Sequence, residues 1–125
     1  MNIQRFLVLL FAMLILPACD DDEAIDYNLA GTWVGSYDGI SGSGVLTSIL
    51  DQTGNQVTGT YMTVEDTGTV AGSVDGKRFE ATLTSTVYLC ESYLHLTIQD
   101  STHISGYYAG YDACADSGSI SLTKQ

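Results

Sequence analysis

The side chains able to do chemistry are few, and their spacing favours recognition over catalysis. There are two histidines, His95 and His103. His95 sits between Leu94 and Leu96 in an alternating stretch, which points it outward. His103 ends the run Asp100-Ser101-Thr102-His103. Those triad letters are consecutive in one turn, whereas a catalytic triad converges from separate segments. Glu65 and Asp66 are adjacent in a polar stretch and read as a solvated corner. Glu91, Asp112 and Asp116 offer oxygen ligands that would hold Ca²⁺ only weakly. Cys90 and Cys114 lack the Cys-x-x-Cys or paired histidines of a metal site and the basic neighbour of a reactive thiol. No Gly-rich phosphate loop or metal-binding histidine motif occurs. No enzyme activity, cofactor or metal is expected. Tyrosine is what the chain has in number, with 8 residues. Its flat apolar body and hydrogen-bonding tip suit binding surfaces.

The first residues read as an address. Arg5 precedes an apolar run over residues 6–16, too short to span a bilayer, which takes ~20 residues, but right for a secretory signal over residues 1–18. The run ends Leu16-Pro17-Ala18-Cys19, which resembles the bacterial lipobox, with Pro17 where Ala or Ser is usual. The resemblance implies cleavage before Cys19 and acyl chains on it. At ~0.8 kcal/mol per buried CH₂, two such signals together anchor a protein stably. Residues 19–26, largely Asp and Glu, read as an acidic tether with nothing to bury. The expectation is a protein held on a bacterial membrane in the cell envelope, facing periplasm or exterior, with the choice of membrane open. Without Arg5, Lys77, Arg78 and Lys124 face 15 acidic residues, a net charge of −12. Such a surface repels phosphate backbones, which sets nucleic acid aside as a partner.

Residues 27–125 are enough for one domain, and apolar residues there recur with a period of two. Strands are predicted at residues 31–37, 44–51, 56–64, 68–74, 78–85, 93–99, 102–109 and 118–124, separated by Gly, Asp and Asn turns. Short connections such as Asp75-Gly76 have hairpin chemistry. This predicts an all-β fold: an eight-stranded antiparallel up-and-down β-barrel, since closure removes both sheet edges. A two-sheet sandwich is the alternative. The inner face carries Trp33, Tyr37, Leu46, Ser48, Leu50, Val57, Tyr61, Val70, Val74, Phe79, Ala81, Leu83, Leu94, Leu96, Ile98, Ile104, Tyr108, Ile120 and Leu122. Gly35, Gly59, Gly72 and Gly106 fall near mid-strand on that face, where a missing side chain lets a strand coil tightly.

Leu29-Ala30-Gly31-Thr32-Trp33 on the first strand and Val57-Thr58-Gly59-Thr60-Tyr61 on the third resemble the calycin barrels, the lipocalins and avidins, and many small bacterial lipoproteins. The resemblance covers residues 29–125 and implies a calycin-like barrel. It does not carry biotin binding, because avidins line that site with several tryptophans and Trp33 is the single one here. The basic residue that lipocalins place late in the chain has no clear equivalent.

Strand parity sorts the connections. Those after strands one, three, five and seven share one end, so Cys90 and Cys114 meet there and are expected to form a disulfide in an oxidising envelope. The same end carries the longer, acidic loops, while both chain termini lie at the other, closed end. The mouth therefore faces away from the bilayer. Its candidate ligand-binding residues are Tyr37, Tyr61, Tyr88, Tyr93, Tyr108 and Tyr111, with Asp38 and Asp112. Two functions follow for a monomer: binding a small, partly apolar or cationic ligand at the tyrosine-lined mouth, or engaging a basic protein through the acidic loops, for instance to inhibit an enzyme that attacks the envelope.

Overall fold

Residues 27–125 are described by the computed structural model; the expected signal over 1–18, Cys19 and the tether over 19–26 lie outside the described residues. Period-two alternation can bury one face of every strand only if the sheet wraps around that face. The eight strands do so: β1 (Gly31–Gly39), β2 (Ser43–Thr53), β3 (Gln56–Met62), β4 (Thr67–Asp75), β5 (Arg78–Ser85), β6 (Glu91–Asp100), β7 (His103–Gly110) and β8 (Ser117–Lys124). Each pairs antiparallel with the next, and β1 also pairs with β8, so the sheet is a closed barrel without edges. In that closure Gly35 lies opposite Leu46 on one side and Leu122 on the other. The sandwich is excluded.

Strand ends depart from the sequence reading where side chains compete for the backbone. β3 stops at Met62 instead of residue 64. The Thr63 N–H donates to the Asp66 carbonyl at 2.8 Å, and the Asp66 N–H to Thr63 Oγ1 at 3.0 Å, a local turn that replaces the ladder. β6 begins at Glu91 and carries an irregularity between Ile98 and Asp100. The turn at Gly76-Lys77 needs a residue at positive φ, and Gly76 supplies it at 62°. The mid-strand glycines are required by close approach. A Cβ on Gly35 would lie 1.8 Å from the Ser121 carbonyl oxygen, and Gly59, Gly72 and Gly106 meet neighbouring backbone in the same way.

The inward residues form layers. Trp33, Val57, Val74, Phe79, Ile98 and Ile104 near the closed end are at most 1% exposed. Burying side chains of this size contributes roughly 1.5–3 kcal/mol each. The segment before β1 plugs this end. Leu29 is fully buried, and its carbonyl accepts the Trp33 Nε1–H at 2.8 Å. Gln52 holds the plug in place, accepting from the Leu29 N–H at 2.7 Å and donating to the Tyr27 carbonyl at 2.9 Å. The inward hydroxyl of Ser48 donates to the Thr60 carbonyl at 2.8 Å. Mid-barrel, a void of about 10 Å³ remains, room for no more than one water. The lower barrel is filled.

Candidate functional site

Above the filled layers the odd strands repeat one pattern: Trp33-x-Gly35-x-Tyr37 on β1, Val57-x-Gly59-x-Tyr61 on β3 and Ile104-x-Gly106-x-Tyr108 on β7. Alternation turns all three tyrosines inward in the upper barrel, Tyr61 the deepest of them. On β5 the position is Leu83, followed by Ser85. The three rings and Leu83 crown the core without filling it. They line an open cavity of about 300 Å³ whose floor includes Leu46, Leu94 and Ile120. That size lies at the lower end of ordinary small-molecule pockets, ~300–1,000 Å³.

Each of two tyrosines donates to an aspartate in the loop that follows it. The Tyr61 hydroxyl bonds Asp66 Oδ2 at 2.7 Å, and the Tyr108 hydroxyl bonds Asp116 Oδ2 at 2.8 Å. The other oxygens are also engaged. Asp66 Oδ1 accepts from the buried Ser85 hydroxyl at 2.6 Å, and Asp116 Oδ1 accepts from the Ser41 N–H at 2.9 Å. Ser85 Oγ in turn accepts from the Val87 and Tyr88 N–H groups. The carboxylates thus fix the shape of the surrounding loops, hydrogen bonds to charged groups contributing roughly 1.5–3 kcal/mol each. Burial, then the hydrogen bond to the neighbouring carboxylate, pushes both Tyr61 and Tyr108 well above the ordinary tyrosine value. Both stay protonated donors. Partial burial alone would raise Asp116, but bonds from the Ser41 backbone, the Tyr108 hydroxyl and the Ser117 backbone outweigh it and hold the group below its ordinary range. Tyr37 stacks edge-on against Tyr108, centroids 6.1 Å apart.

Cys90 and Cys114 are disulfide-bonded, their Cα atoms 5.6 Å apart, tying the β5–β6 loop to the short 3₁₀ turn Asp112–Cys114. The bridge forms one wall of the mouth and the back of a second, shallow groove on the outside of the barrel. The predicted residues divide between these two places. Tyr37, Tyr61, Tyr88 and Tyr108 line the mouth. Tyr93, Tyr111 and Asp112 line the outer groove, where Tyr93 and Tyr111 meet edge-on at 5.6 Å. Tyr93 alternates outward on β6, and the 3₁₀ turn swings Tyr111 and Asp112 over the rim. Asp38 is exposed near the top of β1 and lines neither. Asp66 and Asp116, absent from the predicted set, do line the mouth. Their signal in the sequence was an aspartate in the loop following an inward tyrosine.

Charge is distributed unevenly along the barrel. The mouth end carries Asp38, Glu65, Asp66, Glu91, Asp112 and Asp116 without a Lys, Arg or His in its connecting loops. Lys77, Arg78, Lys124 and His103 all lie at the closed end. There Asp100, held down to about 2 by His103 and the Thr102 backbone, closes a solvated turn. Glu91, Asp112 and Asp116 do not converge, and among the described residues no three His, Cys, Asp or Glu side chains are grouped to hold a metal.

No protein-family model and no curated protein matches this chain. Solved barrels do match in shape. A redesigned β-barrel, b11L5F_LGL, superposes with a TM-score of 0.69 at 12% identity, covering 78% of this chain and 91% of its own. The barrel EF1p2_mFAP2b bound to DFHBI gives a TM-score of 0.66, also at 12% identity, covering 78% of this chain and 94% of its own. At this identity the shared property is the closed β-barrel fold.

Proposed function

We propose that this protein is a non-catalytic binding protein of a bacterial cell envelope, anchored by lipid on Cys19, that takes one small, partly apolar molecule into its tyrosine-lined mouth. One observation carries the reading: a cavity of about 300 Å³ opens above a barrel that is otherwise filled. An apolar-floored cavity with a few convergent polar groups is the usual form of a small-molecule site. The similar barrel bound to DFHBI lends support, since a barrel of this fold and size is found with a bound ligand. The placement is also consistent with anchoring, because Tyr27, where the tether would join, is held at the closed end by Gln52. The mouth then faces away from the bilayer.

Native mass spectrometry of the protein extracted from envelope membranes tests the binding. A small bound mass that is lost in Leu83→Trp, which fills the cavity beside Tyr61, is the expected result. An unoccupied protein whose Leu83→Trp variant gains stability would point to a mouth with no occupant. Anchoring is tested apart from this: Cys19→Ser should move the protein from the membrane to the soluble fraction, and persistence in the pellet would count against lipidation.

A second reading rests on the loop tips. Ile40 (86% exposed), Val64 (95%) and Leu89 (84%) project from three mouth loops among the acidic residues, a composition suited to docking a basic protein. Co-sedimentation with such a partner that weakens steeply with salt would favour it.

A further inference from the structure

Resting on the small-molecule reading of the mouth, the inventory of hydrogen-bonding groups around the cavity narrows the ligand class. The Tyr61 and Tyr108 hydroxyls spend their protons on Asp66 and Asp116. What these tyrosines can still offer is oxygen lone pairs. The carboxylates are acceptors only, and Glu65 lines the same cavity. The Tyr37 hydroxyl has no hydrogen-bond partner among the described residues and is available to a ligand. Among the described residues no Lys, Arg or His lines the mouth, and the domain's Lys and Arg residues are at the far end of the barrel. The charged groups of the lining are therefore all acceptors, while the Tyr37, Tyr88, Ser and Thr hydroxyls are able to go either way.

The arrangement is two-sided. β3 and β7 are four strands apart in a ring of eight, so the Tyr61–Asp66 and Tyr108–Asp116 pairs stand on opposite walls with the cavity between them. A positive head placed there is attracted from both sides, and the apolar floor of Leu46, Leu94 and Ile120 limits the water that would screen it. An anion of the same shape would be buried against carboxylates, which is strongly unfavourable. A bare divalent ion is poorly served, since both Asp66 oxygens and both Asp116 oxygens already accept protein hydrogen bonds. We infer that the mouth selects an organic cation, a molecule with an ammonium head and a flat or aliphatic body.

A matched series tests this: 2-phenylethylamine, 2-phenylethanol and phenylacetate, each titrated into the whole protein while mouth amides are followed by NMR. The amine should bind at least about tenfold more tightly than the alcohol, a difference of ~1.4 kcal/mol, and the carboxylate should not bind. Asp66→Asn and Asp116→Asn, which keep an oxygen to accept from the tyrosines, should each weaken the amine about tenfold more than they weaken the alcohol. Glu65→Gln, at an exposed loop position, should act in the same direction even where an Asp variant loses its fold. Alcohol and amine binding equally well would overturn the charge selection and leave the apolar pocket standing. Mouth amides that stay still with all three compounds would overturn both.

Discussion

The two ends of this barrel are built from the same alternation and differ in what is placed on top of it. At the closed end Leu29 and Trp33 are fully buried, the turns are two residues long, and charges of both signs are solvated. At the mouth three of the inward positions are tyrosines, the hydroxyls of Tyr61 and Tyr108 are committed to aspartates, and a cavity is left open. The loops there run to several residues and carry one sign of charge. The contrast teaches how tight packing and exposed polar groups are divided in a chain of this size. A dry, tightly packed base holds the cylinder, and the upper rim is released from packing to present polar atoms.

Substitutions should separate the ends by magnitude. Trp33→Ala removes the largest buried side chain and the bond to the Leu29 carbonyl, and should cost ~3–5 kcal/mol, a large share of the stability of so small a domain. Denaturant unfolding that shows less than about 1 kcal/mol would mean the base is not what holds the barrel. The next largest effect belongs to the mouth. Cys90→Ser releases a link between residues 24 apart in sequence, which on the chain-entropy model is worth ~3 kcal/mol and a fall in Tm of roughly 10–20 °C. An unchanged Tm would make the bridge irrelevant to the rim.

Strand period and parity made much of this legible. Every apolar residue assigned inward from Trp33 to Leu122 lies in the core or at its upper margin, because alternation is a local property of the pleat. The meeting of Cys90 and Cys114 followed from counting hairpins. The loops were less readable. Tyr93 and Tyr111 are tyrosines near the mouth in sequence, yet one alternates outward and the other rides a 3₁₀ turn to the outer groove. Asp66 and Asp116 matter because of partners 5 and 8 residues back and, for Asp116, the Ser41 N–H 75 residues away. A loop's shape depends on such distant bonds, which no periodicity encodes.

Smaller changes sharpen the comparison within the mouth. Tyr61→Phe keeps the ring but leaves Asp66 with Ser85 alone, and should cost about 1–2 kcal/mol while loosening the loop at residues 63–66. A pH series should strain the same end from both directions. Asp116, lowered when folded, contributes stability that is present above the ordinary value of 3.8 and is lost as pH falls through its depressed one. Tyr61 and Tyr108, raised when folded, contribute stability that is present below 10.0 and is lost as pH climbs beyond it. Hydrogen exchange below pH 4 and above pH 10 should therefore quicken in the mouth loops before it does around Trp33. Uniform quickening would show that the ends unfold as one unit.

The smallest effect concerns backbone strain, which the described non-glycine residues place only beside the disulfide. Leu89 has φ of 57° and Asp112 has φ of 54°, a region that costs an L-residue roughly 1 kcal/mol or more. Leu89 is 84% exposed, so its side chain contributes little packing to offset that cost. Leu89→Gly should remove the strain but add freedom to the unfolded chain, for a net gain of about 0.5 kcal/mol. Asp112→Gly should gain less, because aspartate tolerates the left-handed region better than leucine does. No comparable gain is available at the closed end, where Gly54 and Gly76 already occupy the positive-φ turns. A Leu89→Gly protein that is less stable by 1 kcal/mol or more in denaturant unfolding would mean that this exposed leucine is held by contacts, and that the rim is packed more like the base than its exposure implies.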